Sequence, residues 1–233
     1  VSPDTKTTGW EHCSGYHADD TTIEGFSHTH LSGTGCGDGG DIMLMPLIQN
    51  EYTDLSKPYA GSTFKHENEK SSPGFYSAKF DNGINVELTS TERVGFHHYH
   101  FNSSDKSFVL LDLGHGISDN KTHCNISHID STKIEGFRMS NGWAKNEVIF
   151  FTIEFSQSMK VSDWANSYYE GDTDYHEVPP EKANPIWNRE LLSPKYNSKD
   201  IYIKVALSSV SEENALLNLQ TEIPNWNFDE IKK

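Results

Sequence analysis

The sequence predicts an all-β fold: a large antiparallel β-sandwich followed by a short C-terminal helix. Three observations carry this. Short runs rich in Phe, Tyr, Val and Ile recur along the chain, and several alternate apolar and polar residues. Turn-forming residues separate them, most plainly Asp81-Asn82-Gly83 between two such runs. Helical periodicity is weak until residue 211.

In chain order, residues 1–23 read as a polar, loop-like segment containing Trp10, His12, Tyr16, His17 and Asp19-Asp20. Ordering such a segment costs backbone entropy, so it is expected to lie along the rest of the fold. Residues 24–46 follow, EGFSHTHLSGTGCGDGGDIMLMP. His28 and His30 are two apart, and an extended backbone would send both rings to one face. The glycines that follow allow a backbone to approach a ligand closely. They are also ordinary turn formers, so the stretch is either a polar site or a plain turn. It is no phosphate loop, since neither Gly-Lys-Ser/Thr nor GxGxxG is present.

Residues 42–48 form an apolar strand ending near Pro46. Residues 64–70, FKHENEK, read as a charged turn in which His66 and Glu67 either face solvent or line a pocket. Residues 74–80 and 84–91 make a hairpin around Asp81-Asn82-Gly83, with Ile84, Val86 and Leu88 on one face. Residues 93–101 continue the pattern. There His97 and His98 point to opposite faces, while His98 and His100 share one. Residues 108–113, FVLLDL, suit a fully buried strand, and strands are expected at 125–130, 133–140, 148–155 and 201–208. Residues 168–199, with four of the nine prolines, read as a surface excursion. Ser211 is the cap candidate of a helix that Pro224 ends, and residues 227–231 begin another.

The 233 residues suffice for one large or two small domains with a buried core. A net charge of −15, from 34 acidic and 19 basic residues, argues against a nucleic-acid partner and a polybasic membrane patch. No apolar stretch approaches membrane-spanning length, and residues 1–20 carry no signal peptide. The opening VSPDTKTTGW reads as the interior of a longer protein, which would place any export signal upstream. Cys13, Cys36 and Cys124 form no CxxC pair; one Cys13–Cys36 bond or three small buried thiols are the two readings, and the thiols are favoured. Aromatics make up 12% of the chain, which suits a carbohydrate-facing surface and a sandwich core equally.

The chemistry-bearing residues do not single out a reaction. The Cys and His spacings fit no zinc pattern, and there is no HExxH. Asp19, Asp20, Asp38 and Asp41 offer oxygens to calcium, but without EF-hand spacing. GxSxG is missing. Carboxylates for a glycosidase exist, but nothing picks out an acid pair.

Taken together, the clusters carry more. GYHADDTTIEGFSHTHLSGTGCGDGGDIMLMP, then HENEKSSPGFYSAKF, VELTSTERVGFHHYHF, IEGFRMSNGWAKNEVIFF and VALSSVSEENALLNLQTEIPNWNFDEI resemble the N-terminal domain of glycoside hydrolase family 92. The resemblance spans almost the whole chain and is weakest across residues 156–199. It implies a galactose-mutarotase-like supersandwich that pairs with a C-terminal (α/α)6 barrel in a calcium-dependent, inverting exo-α-mannosidase. The general acid (a Glu), the general base (an Asp) and the calcium ligands would lie in that barrel, so this chain, cut at both ends, holds no catalytic residue and no metal ligand. Calcium would bind the mannose O2 and O3.

The implied partners are the chain's own barrel and mannosides of the N-glycan class, and the implied location is secreted, periplasmic or cell-surface. By position, Trp10 matches a family tryptophan that would stack on sugar. The loop with His28, His30, Gly33, Thr34, Gly35 and Asp38, and also His66 and Glu67, would face the barrel or the sugar. The competing expectations are a stand-alone carbohydrate-binding module, a sugar mutarotase-like protein using a His and an acid, and a purely structural interface domain.

Overall fold

The computed structural model describes residues 1–31, 35–49, 51, 57, 59–102, 107–161, 189–196 and 198–232. The strands are β1 Ser2–Asp4, β2 Thr22–Ile23, β3 Gly25–Ser27, β4 Met43–Ile48, β5 Ser62–Ser72, β6 Phe75–Phe80, β7 Asn85–Ser90, β8 Val94–His100, β9 Ser107–Asp112, β10 Asn120–Ile129, β11 Lys133–Asn141, β12 Glu147–Phe155, β13 Met159–Val161, β14 Arg189–Pro194 and β15 Asp200–Ser208. Two helices close the described chain, α1 Glu212–Glu222 and α2 Phe228–Ile231. The strands build a six-stranded sheet, β1-β3-β4-β9-β14-β13, and a nine-stranded sheet, β10-β11-β12-β15-β8-β7-β6-β5-β2. Every pairing is antiparallel, as the hairpin signals required. This is the all-β sandwich with a short C-terminal helix that the sequence predicts.

The period-2 pattern explains the layering. Ile84, Val86 and Leu88 are buried together, and Phe26, Phe80, Tyr99, Phe101, Phe151 and Ile203 join them in one core between the sheets. β9 is buried on both faces at Val109, Leu110 and Leu111, as the FVLLDL run foretold. The hairpin between β6 and β7 closes with Gly83 N–H on Phe80 O at 3.0 Å and Phe80 N–H on Ile84 O at 2.9 Å. On β8 the neighbours diverge. Phe96 belongs to a second, outer cluster with Leu219, Ile223 and Phe228, whereas Tyr99 faces the main core. The Ser211 hydroxyl caps α1 by accepting from Asn214 N–H. Glu222 anchors the other end of α1 on Thr91 and on Arg93, the latter at 2.6 Å.

Four expectations change. Residues 64–70 are not a charged turn: they lie in the eleven-residue strand β5, where the register against β6 shifts between Phe64 and Glu69. Part of the expected surface excursion, residues 189–194, is β14, paired with β9 inside the six-stranded sheet; residues 168–188 lie outside the described residues. The polar opening segment contains β1, whose Asp4 is fully buried. The cysteines are thiols, none in a disulfide, but half-buried rather than buried.

Candidate functional site

Residues 28–30 and 39–41 pair as a short two-stranded arm within the glycine-rich stretch. His28 N–H donates to Asp41 O at 3.0 Å, Gly40 N–H donates to Thr29 O at 2.6 Å, and His30 bridges Gly39. The base of the arm is locked by charge. Asp41 accepts from Arg138 Nη1 at 2.5 Å and from the Thr29 hydroxyl. Arg138 also holds Asp119 bidentately, at 2.8 and 3.0 Å, and donates from Nε to Leu113 O. This guanidinium is buried with both carboxylates, and they keep its pKa raised against the opposing effect of burial.

Asp38 turns inward. It is 2% exposed, and its Oδ2 accepts the Ala144 amide at 2.7 Å. That bond fixes the turn between β11 and β12, whose Trp143 is 73% exposed. On the other side of the arm Trp10, 79% exposed, lies over Gly35, where a Cβ would come within 3.0 Å of the indole edge. Trp10 and the turn with Trp143 therefore both rest on the glycine-rich stretch, at Gly35 and Asp38, and both indoles are open to solvent. Gly33 and Thr34 lie outside the described residues.

The two histidines of the arm serve separate networks. His28 spans the sandwich: its Nδ1–H donates to Ile42 O at 2.6 Å, and its Nε2 accepts from His97 Nε2–H at 2.8 Å. His97 Nδ1 in turn accepts from the Tyr99 hydroxyl at 2.8 Å. Burial drives the His28 pKa down to about 3 and that of His97 well below its ordinary value, so both rings are neutral and the donor order is fixed. Gly95 leaves the room, because a Cβ there would meet the His28 ring at 2.7 Å. His30 instead donates to Asp4 at 2.9 Å, beside Ser27 and His115 on the same carboxylate. Against the cost of burial, His115 and His30 pull the Asp4 carboxyl far below its usual range, and Asp4 in turn raises the His115 pKa against burial of that ring. An acid and two histidines do converge here, but Asp4 is sealed from solvent.

His66 is exposed and shares Glu69 with Tyr16 and Tyr76, at 2.9, 2.9 and 2.7 Å. The hydrogen bond to Glu69 raises the His66 pKa. Glu67 is exposed on the same irregular stretch of β5. On β8, His98 and His100 share Asp200, at 2.9 and 2.8 Å, which agrees with their common face. A cleft of about 500 Å³ reaches the arm at His28 and Thr29 and is lined further by Thr91, Arg93, Ser208 and Asn218; Trp10, Gly35 and Asp38 are not part of it.

Sequence reasoning missed the Arg138 triad, the buried Asp4 centre and Trp143. Only Trp143 carried a local signal, a Gly-Trp in a polar turn between two strands.

The model of the glycosyl hydrolase family 92 N-terminal domain matches residues 1–208. A secreted glycosidase of Arthroderma benhamiae, itself uncharacterized, is 24% identical over 96% of this chain and 32% of its own. The family GH92 α-mannosidase BT3965 from Bacteroides thetaiotaomicron, also solved in complex with mannoimidazole, superposes with a TM-score of 0.80 at 26% identity. That match covers 99% of this chain and 32% of BT3965. The inverting mannosidase BT2199 of the same organism shares the fold, with a TM-score of 0.72 at 23% identity over 30% of its length. The chain thus spans about a third of these relatives. With its first 208 residues matched end to end, it belongs to glycosyl hydrolase family 92, as an N-terminal domain of that family.

Proposed function

We propose that this chain is the N-terminal domain of an inverting, calcium-dependent exo-α-mannosidase acting on mannosides of the N-glycan class. In this reading it packs on a C-terminal (α/α)6 barrel and lends the Trp10 end of the sandwich to the pocket for the terminal mannose. The supporting observation is that the family match fills the chain while leaving two thirds of BT3965, an α-mannosidase, uncovered. The exposed Trp10 indole over Gly35 suits stacking on the apolar face of a sugar, and Trp143 offers a second such surface. The inward Asp38, and His28 and His30 with their networks, then act as the frame that holds the loop in shape.

Among the described residues, neither Asp38 nor Asp41 of the glycine-rich stretch is free to hold calcium. Asp38 is committed to backbone N–H groups and Asp41 to Arg138 and Thr29, whereas calcium takes six or more oxygens. In this reading the ion and the acid–base pair belong to the barrel, where one carboxylic acid would protonate the leaving oxygen and one carboxylate would activate water on the opposite face. A secreted, periplasmic or cell-surface location accords with the secreted relative.

The test is release of mannose from α-mannosides by the complete protein, with calcium and after chelation, alongside residues 1–233 alone. The complete protein is expected to need calcium, and the domain alone to give no turnover. Trp10→Ala in the complete protein is expected to raise KM about five-fold, the equivalent of roughly 1 kcal/mol of lost stacking. Turnover by residues 1–233 that is indifferent to calcium would overturn the reading.

A further inference from the structure

We infer that the opening segment carries a binding site for a divalent transition-metal ion of the Zn²⁺ class, built from His12, His17 and Asp20. One donor atom from each residue lies within 4.8 Å of those of the other two. The local backbone makes the cluster a built feature rather than a chance meeting of surface side chains. A single 3-10 turn spans Trp10–His12, with His12 N–H on Gly9 O at 3.2 Å. The chain then folds back through Gly15 N–H on His12 O at 2.9 Å and Asp20 N–H on His17 O at 3.2 Å. Thr5 ties this loop to the end of β1: its amide donates to Gly15 O at 2.6 Å, and its hydroxyl accepts from the His17 amide at 2.9 Å. All three donors thus hang from one stapled loop, in the spacing H-x4-H-x2-D.

Burial holds the His12 ring in place with its Nε2 in the cluster. The ring is almost wholly buried, yet its Nδ1 has no hydrogen-bond partner. Its Nε2 is directed at Asp20 Oδ2, 2.7 Å away. A buried imidazole costs desolvation free energy, which an ion on Nε2 would offset; the unpartnered Nδ1 lies on the opposite edge of the ring and is not a ligand atom. His12 therefore commits its one engaged nitrogen to the cluster. His17 lies alongside, with the two ring centroids 5.3 Å apart, and is half-buried with Asp20, which leaves an open approach. Asp19 N–H donates to His17 Nδ1 at 3.3 Å, a long bond that leaves the ring little constrained.

The donor set selects the ion. Two imidazole nitrogens and one carboxylate oxygen match the three-ligand sets that hold Zn²⁺ with water in a fourth position. The same set is wrong for calcium, which wants an oxygen cage, and for magnesium, which keeps its waters. Around a tetrahedral ion with bonds near 2.0–2.1 Å the donors stand roughly 3.3 Å apart. His12 and Asp20 need open by about 0.6 Å, and the half-buried His17 can close the remaining distance. Ion entry replaces the proton shared between His12 Nε2 and Asp20, and that proton leaves to solvent.

The experiment loads the full chain, saturated with calcium, with Co²⁺ as a spectroscopic probe and then titrates Zn²⁺ against it. The expected result is one equivalent of Co²⁺ with the intense visible absorption of a four-coordinate site, displaced by one equivalent of Zn²⁺. His17→Ala and Asp20→Asn change half-buried side chains and should leave the circular dichroism spectrum intact. Each is expected to weaken Co²⁺ binding at least about 100-fold, beyond what losing a supporting outer-shell group costs. Absence of the tetrahedral Co²⁺ spectrum, or an unchanged affinity in both variants, would overturn the inference and leave His12–Asp20 as a hydrogen-bonded staple.

Discussion

Replacing Arg138 by Met in the full chain tests whether the charged triad holds the glycine-rich arm. Met keeps much of the side-chain volume and removes all four hydrogen bonds, to Leu113 O, Asp41 and both oxygens of Asp119. Two buried carboxylates then face each other without a counter-charge. Removing one partner of a buried pair costs about 3–5 kcal/mol, and two stranded acids place the loss at or above the upper end. For a domain of this size that corresponds to a fall in Tm of roughly 10–20 °C. Urea unfolding followed by tryptophan fluorescence reads the change. The triple variant Arg138→Met, Asp41→Asn, Asp119→Asn removes the charges together and is expected to recover at least half of the loss. A single variant within about 1 kcal/mol of the parent, or a triple variant no better than the single, would refute the reasoning.

Two further predictions concern pH. Burial lifts the Glu190 carboxyl to about 7, and its Oε2 has no partner, so folding favours the protonated form. Its contribution is whole below the unfolded value near 4.5 and is lost as pH rises through 7, a fall of about 3 kcal/mol. Glu190→Gln should therefore gain on the parent in unfolding free energy between pH 4.5 and 8; a constant difference over that range would contradict it. Asp4, lowered from 3.8, stabilises above that value and loses its contribution as pH falls below it, while His115, raised from 6.5, stabilises below that value and loses its contribution as pH climbs through the raised one. The stability difference between the parent and His115→Gln should accordingly peak between pH 3.8 and 6.5; a difference flat from pH 3 to 9 would count against the buried ion pair.

Most of the sandwich was legible because period-2 alternation reports burial on one face, as in β7, and because short apolar runs mark strands buried on both faces, as in β9. The hairpin at Asp81-Asn82-Gly83 was legible because its residues dictate the turn. What escaped were polar strands at the margins of the sheets. β5 exposes most of its side chains and the first half of β10 buries none fully, so they carry no apolar period to read. β10 begins at Asn120, where the pattern alone suggested Asn125. β1 escaped for a different reason: Asp4 is a core residue only because His30 and His115 come to it from 26 and 111 positions away. At the candidate site Trp10 and Gly35 were named from the sequence and do lie together. Asp38 was named as well, but its inward turn depends on the Ala144 amide, 106 residues distant, which no local pattern encodes. His28 and His30 could be paired on spacing alone, yet the bend after β3 gives them different partners.

The strand order of the nine-stranded sheet has a consequence for biosynthesis. Its first block, β2 with β5 to β8, is complete at residue 100, and its second, β10 to β12, at residue 155. Only β15, residues 200–208, pairs with both β8 and β12 and joins the two blocks. On the ribosome the bare edge of β8 must wait for more than a hundred further residues, about 5–20 s at ordinary elongation rates. During that wait the strand, with Val94, Phe96 and Tyr99, is a template for pairing with another nascent chain. Chaperone capture, or a pause in translation that keeps neighbouring copies apart, would matter most in that interval.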